Sequence, residues 1–169
     1  EGCVIGAVVA SHDITERKRA ETKLRQSEKR YRVLADNMTD VVWILDTETG
    51  LFTYVSPSAQ KMIGYTVDEV MVRPISAVLT PASLAQMSEI LAHDIPQFMA
   101  GIELPTPPYE FEEICKDGST VWVEAVARLY RNDENGHVEA YGVSRDITER
   151  RRLADALRAS EERYRHLAD

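Results

Sequence analysis

The sequence predicts an α+β domain: a five-stranded antiparallel sheet with short helices over one face, set between two long terminal helices. Three observations predict it. Five runs rich in β-branched and aromatic residues are separated by turn texts. The helical stretches fall together between the second and third of these runs, as in layouts that segregate helices to one face of a sheet. One charged segment occurs twice, as "DITERKRAETKLRQSEKRYRVLAD" at 13–36 and "DITERRRLADALRASEERYRHLAD" at 146–169, with 16 identities in 24 positions.

The repeat sets the organisation. Residues 4–12, "VIGAVVASH", stand before the first "DIT" as "HVEAYGVSR" stands before the second. Residues 1–12 therefore read as the last strand of a preceding domain, 13–36 as a linker helix, 37–145 as the central domain and 146–169 as a second linker helix. The chain opens without Met and is expected to be one bead of a longer string. In the second copy Leu153, Leu157, Ser160, Tyr164 and Leu167 step by 4, 3, 4, 3, the seam of a coiled coil. Ala20, Leu24, Ser27, Tyr31 and Leu34 repeat it in the first copy. A single helix packed on its own domain would use the same seam, but the mixed basic and acidic flanks favour a parallel pair joining two chains. Asp146 with Glu149, and Asp13 with Glu16, have capping-box spacing, with Thr148 and Thr15 as alternative caps.

Within the central domain "VVWILD" (41–46) and "LFTYV" (51–55) flank "TETG" and predict a hairpin. In "SPSAQKMIGY" Ser56 is placed as helix cap with Pro57 at the first helical position. "TVDEVM" is a short helix starting at Thr66 or Asp68. A longer helix spans 80–95, capped at Thr80 with Pro81 next, and carries Leu84, Met87, Ile90 and Leu91 on one face. "GIELPTPP" is a rigid loop. "YEFEEIC", "TVWVEAVARLY" and "HVEAYGVS" are strands joined by the turn texts "KDGS" and "RNDENG".

Composition narrows the function. The chain has 169 residues, 44% of them hydrophobic, with a net charge of −8. The two repeat copies hold most of the cations and leave the rest at net −11, which argues against nucleic-acid binding. No apolar run approaches the roughly 20 residues of a membrane helix, and no signal peptide opens the chain. Cys3 and Cys115 fit neither a zinc spacing nor a disulfide framework and read as small apolar residues in a reducing cytoplasm. No nucleophile–base pair, carboxylate pair or phosphate loop is present, so no catalytic residue is assigned, and no metal ligand.

The texts "YVSPSAQKMIGYTVDEV" and "YEFEEICKDGSTVWVEAVARLYRNDENGHVEAYGVSRDITER", with the linker "SEERYR", resemble the PAS domain, a sensory module of multi-domain bacterial and archaeal signalling proteins. The resemblance covers 37–145. It implies a five-stranded sheet, helices over one face, often a small cavity between them, and a non-catalytic role. Where the family usually has Asn after "YV" this chain has Ser56, which can still cap a helix. The light-sensing flavin branch carries its photoactive Cys where this chain has Ile75, which argues against a covalent flavin adduct. Haem-binding relatives use a His that falls near Ser88 here; His93 lies further on and reads as a surface residue at a helix end, which argues against haem. The cofactor is therefore left open, as a small organic ligand or none.

The resemblance also implies which residues face the helices. Trp43 and Leu45 come from the first strand, Phe111 and Glu113 from the third, Val123, Ala125 and Ala127 from the fourth, and Ala140, Gly142 and Ser144 from the last. The small Ala125, Ala127, Ala140 and Gly142 leave volume that Met62, Ile75, Leu84 and Met87 either fill or border. Trp43, Glu113 and Ser144 are the polar groups available to a ligand; in a packed core Glu113 would instead reach solvent. Strand alternation puts Trp122, Val126, Tyr141 and Val143 on the opposite face, too apolar for water, to be covered in part by Tyr31 and Leu34 and otherwise by a second subunit. The expected function is a cytoplasmic, homodimeric sensory relay. Asp146, Thr148 and Glu149 form the joint to the outgoing coiled coil, which leads to an output domain such as a histidine kinase or diguanylate cyclase. The alternative is a structural spacer that dimerises and senses nothing.

Overall fold

The structure, a computed structural model, describes residues 18–23, 25–26 and 39–167; the side chains of 162 and 164–167 lie outside that description. The chain divides into two units, Glu1–Leu34 and Ala35–Asp169. Of the first, 18–23 and 25–26 are helical, and the Thr22 hydroxyl donates to the Lys18 carbonyl at 2.8 Å. The expectations for 1–12, Leu24, Tyr31 and Leu34 fall outside the described residues.

The second unit is a five-stranded antiparallel sheet built from β1 (Val41–Asp46), β2 (Phe52–Val55), β3 (Tyr109–Ile114), β4 (Thr120–Arg131) and β5 (Val138–Asp146). Their order across the sheet is β2-β1-β5-β4-β3. The β1–β2 turn forms because Asp46 Oδ1 accepts the amides of Glu48 and Thr49 while Gly50 takes a positive φ of 68° that glycine adopts without a Cβ clash. Between β2 and β3 run α1 (Ala59–Ile63), α2 (Val67–Met71), a 3₁₀ turn (Ile75–Ala77) and α3 (Pro81–Met99). After β5 comes α4 (Thr148–Leu167).

Two helix starts follow the sequence closely. Thr66 and Glu69 close a capping box on α2. Thr80 caps α3 with Pro81 in its first turn. Two details differ from expectation. Ser56 does not cap α1, whose N-cap is Ser58. The Ser56 amide donates to the Val42 carbonyl and its Oγ accepts the Val42 amide, so it extends the strand pairing past β2, with Ser58 Oγ 2.7 Å from its own. And α3 does not end at 95: it runs through Pro96 to Met99. Pro96 sits in the last turn, where only one amide bond is forfeited and the helix has little left to lose. His93 is therefore on the exposed flank of a continuing helix, beside Asp94 and Gln97, and not at its end.

Packing of the sheet is uneven. Val41, Val55, Ala59, Ile63, Tyr65, Val70, Val78, Val121 and Val123 close a core under α1 and α2. The long helix is pinned only at its start: the buried Ser83 Oγ accepts the Glu112 amide at 2.8 Å, and the Thr80 amide donates to the Glu112 carbonyl at 3.0 Å. Beyond that point α3 and the sheet border a common cavity.

Candidate functional site: an apolar cavity and the joint beside it

A cavity of about 430 Å³ lies in the space that α3 leaves open, within the range of small-molecule sites. The sheet contributes Trp43, Leu45, Phe111 and Glu113 to its wall, together with Ala125, Ala127, Ala140 and Ser144. Met62, Ile75 and Met87 border it from the helical side. These eleven predicted residues are brought together because the register aligns them. Leu45 faces Ala140, Ala140 faces Leu129, and Ser144 stands between Val41 and Ala125.

Three predicted residues do not border the space. Val123 is fully buried in the packed core. Leu84, near the anchored start of α3, is half-buried and lies off the cavity wall. Gly142 leaves no volume: a Cβ there would meet the Val126 carbonyl oxygen at 2.6 Å and the Trp43 ring at 2.8 Å. The Trp43 indole lies across its register partner Gly142, so the glycine makes room for Trp43 and not for a ligand. Conversely, Ile90, Leu91, Asp94 and Phe98 of α3 and the loop from Gly101 to Pro107 complete the wall. The periodicity carried Ile90 and Leu91; Phe98 was hidden by the expectation that the helix ends at 95.

The polar groups behave differently from one another. Trp43 Nε1 donates to Ser144 Oγ at 2.8 Å, which satisfies the indole N–H and leaves the Ser144 hydroxyl its own proton to donate. Glu113 has no such partner among the described residues. Burial, and secondarily the like charge of Asp146, pushes its pKa up to about 7. Glu113 is half-buried, like the rest of β3, and borders the cavity.

Just past Ser144 on the cavity wall, β5 ends at Asp146 and α4 starts at Thr148. Asp146 Oδ1 accepts the Thr148 amide at 2.8 Å, which caps the helix, but Thr148 is not an alternative cap. Its Oγ1 accepts the Trp122 amide at 3.0 Å, while the Ile147 amide donates to the Trp122 carbonyl at 2.8 Å and Ile147 itself is buried. The helix start is thus sewn to β4 at a single residue. Glu149 is exposed, and no hydrogen bond to its carboxylate is found among the described residues. The next two residues add a latch on the outer sheet face. Glu110 and Glu124 are direct cross-strand partners of like charge, an unfavourable pair. Arg150 bonds both, at 3.2 and 3.0 Å, and Arg151 bonds Glu110 at 2.8 Å. The Arg151 guanidinium also lies 3.7 Å from the Trp122 ring centroid.

Val126, Tyr141 and Val143 are exposed on that outer face, with Tyr130 and Tyr141 in edge contact. Leu153 and Leu157 are exposed on α4. Tyr164 and Leu167 lie on the same helix, their side chains outside the described residues.

An antiparallel sheet of order β2-β1-β5-β4-β3, with helices over a cavity on one face, defines the PAS class of fold. Residues 29–147 match the family described as the PAS fold, and the chain belongs to the PAS family. It is 28% identical over 156 residues to the methyl sulfide methyltransferase-associated sensor of Methanosarcina acetivorans, a match covering 90% of this chain and 14% of that protein. It is 25% identical over 134 residues to the sensor histidine kinase TmoS of Ectopseudomonas mendocina, covering 79% of this chain and 13% of that one. Among solved structures it resembles the PAS domain of an HTR-like protein from Haloarcula marismortui, at 25% identity and a TM-score of 0.56, covering 77% of this chain and 99% of that domain. The chain spans 13% to 19% of the length of the curated relatives it matches. No helix among the described residues is long and apolar enough to cross a membrane.

Proposed function

We propose that this PAS domain is a cytoplasmic sensory relay. A small molecule occupies the cavity, β5 carries the resulting shift, and the Asp146–Thr148 joint passes it into α4, which pairs with its copy in a second subunit and leads to an output domain. One observation carries the reading. β5 borders the cavity through Ala140 and Ser144 and two residues later ends in the capped, β4-bound start of α4. A ligand can bias such a joint only by binding its two states unequally, and a strand shared by cavity and joint gives it the means. The sensor names of the two relatives support the same reading, and one of them is a histidine kinase. A structural spacer would have no use for an unfilled 430 Å³.

Replacing Asp146 and Thr148 together by Ala in the parent protein tests the relay. Each lost cap or tie costs about 1 kcal/mol, a small part of a domain's stability but enough to bias a two-state joint. The expected outcome is an unchanged circular-dichroism spectrum with output no longer following stimulus. Full signalling by the double variant would refute the role.

A further inference from the structure

We infer that the cavity takes an apolar organic amine whose ammonium group sits against the Glu113 carboxylate. This rests on the proposal above that the cavity holds a ligand, and adds the chemical class. Glu113 faces the cavity from β3 with no hydrogen-bond or ion-pair partner among the described residues. Glu113 is half-buried, and a carboxylate partly withdrawn from water without a partner carries a standing cost that an opposite charge removes.

The rest of the wall fits a cation and rejects an anion. The other two polar groups named for a ligand, Trp43 Nε1 and Ser144 Oγ, are bonded to each other. Asp94 and the exposed Glu103 also border the space, so acidic groups stand at its rim as well as inside. The one basic residue at the wall, Arg128, is exposed and alternates to the opposite sheet face between Ala127 and Leu129. A carboxylate ligand would therefore meet three acids and no cation. Met62, Met87, Phe98 and Phe111 offer the polarisable and aromatic surface that suits the body of an arylalkyl or alkyl amine. Two neighbouring groups agree: Asp146 on β5 is a like charge, and the thiol of Cys115, just past the end of β3, has its pKa raised, chiefly by burial. With the cavity empty, Glu113 holds its proton up to about pH 7; an adjacent ammonium holds it ionised instead.

Isothermal titration calorimetry of the 169-residue chain at pH 7.5 with three probes of nearly equal shape tests this: 2-phenylethylamine, 2-phenylethanol and phenylacetate. The amine is expected to bind at least tenfold more tightly than the alcohol, with phenylacetate giving no measurable heat. Glu113→Gln is expected to weaken the amine tenfold or more and leave the alcohol unchanged. If the alcohol or phenylacetate binds as tightly as the amine, or Glu113→Gln leaves the amine unaffected, the amine class is wrong while the cavity reading stands. If none of the three binds, both fall together. Ala127→Leu narrows the cavity without touching Glu113 and should weaken amine and alcohol alike; undiminished amine binding would place the amine elsewhere and overturn the inference.

Discussion

Glu113 is an acid held on the wall of an apolar cavity, and its protonation is linked to folding. Its folded pKa of about 7 lies above the ordinary 4.5. Between these values the native state keeps a proton that the unfolded chain has released, so stability falls as pH rises through that window. A shift of this size corresponds to roughly 3 kcal/mol. Urea unfolding from pH 5 to 8 should therefore show Glu113→Gln gaining on the parent by up to about that amount, with nearly all of the gain made before pH 7.5. A constant difference across the range would contradict the burial. Gly142 makes a second residue-scale claim. With the Val126 oxygen and the Trp43 ring both within 3 Å of a Cβ position, Gly142→Ala should cost about 1–3 kcal/mol in the same assay, as overpacking does; an unchanged midpoint would contradict the contact. Both residues show what a sequence can say at this scale. The family resemblance, not the pattern alone, implied that Glu113, Gly142 and Trp43 share the face toward the helices; a period of two says only which residues of a single strand share a face. Neither could say that Trp43 lies across Gly142 or bonds Ser144, since that depends on which residues the register sets opposite each other.

At the scale of elements, the strands and capped helices were legible because their signals are local: a Thr at a helix start, a Gly in a turn, alternating apolar residues. The errors lie where a local signal had two uses. Ser56 has the chemistry of a cap and serves as a strand partner; Pro96 has the chemistry of a breaker and sits where a break costs little. Thr148 reads as a cap and is a tie to Trp122. Each choice was decided by the position of another strand or helix. The outer face of β4 and β5 belongs to this scale too. Val126, Tyr141 and Val143 form an exposed apolar group beside the latched start of α4, and with Leu153 and Leu157 they are the surfaces proposed to join two chains. Analytical ultracentrifugation should find a dimer that Val143→Lys shifts at least tenfold toward monomer. A monomer at high concentration, or a dimer indifferent to this change, would remove the paired-helix reading.

For the whole molecule, the family and the sheet-and-helix layout were visible in the sequence, and the second copy of the repeat marked where α4 begins. The cavity was visible only as small residues on one sheet face. Whether helices close over such residues depends on how α3 packs on the sheet, and its start is tied by two contacts with Glu112, from Ser83 and Thr80, that have no sequence signature of their own. The central claim is that cavity and joint move as one through β5. Amide hydrogen exchange read by NMR on the 169-residue chain, with and without Ala127→Leu, tests it most directly, because the variant alters the cavity without depending on any ligand. The account predicts that filling the cavity changes protection at the Trp122, Ile147 and Thr148 amides, which are engaged in the joint. Changes confined to residues around Ala127, with those three amides exchanging as before, would contradict it.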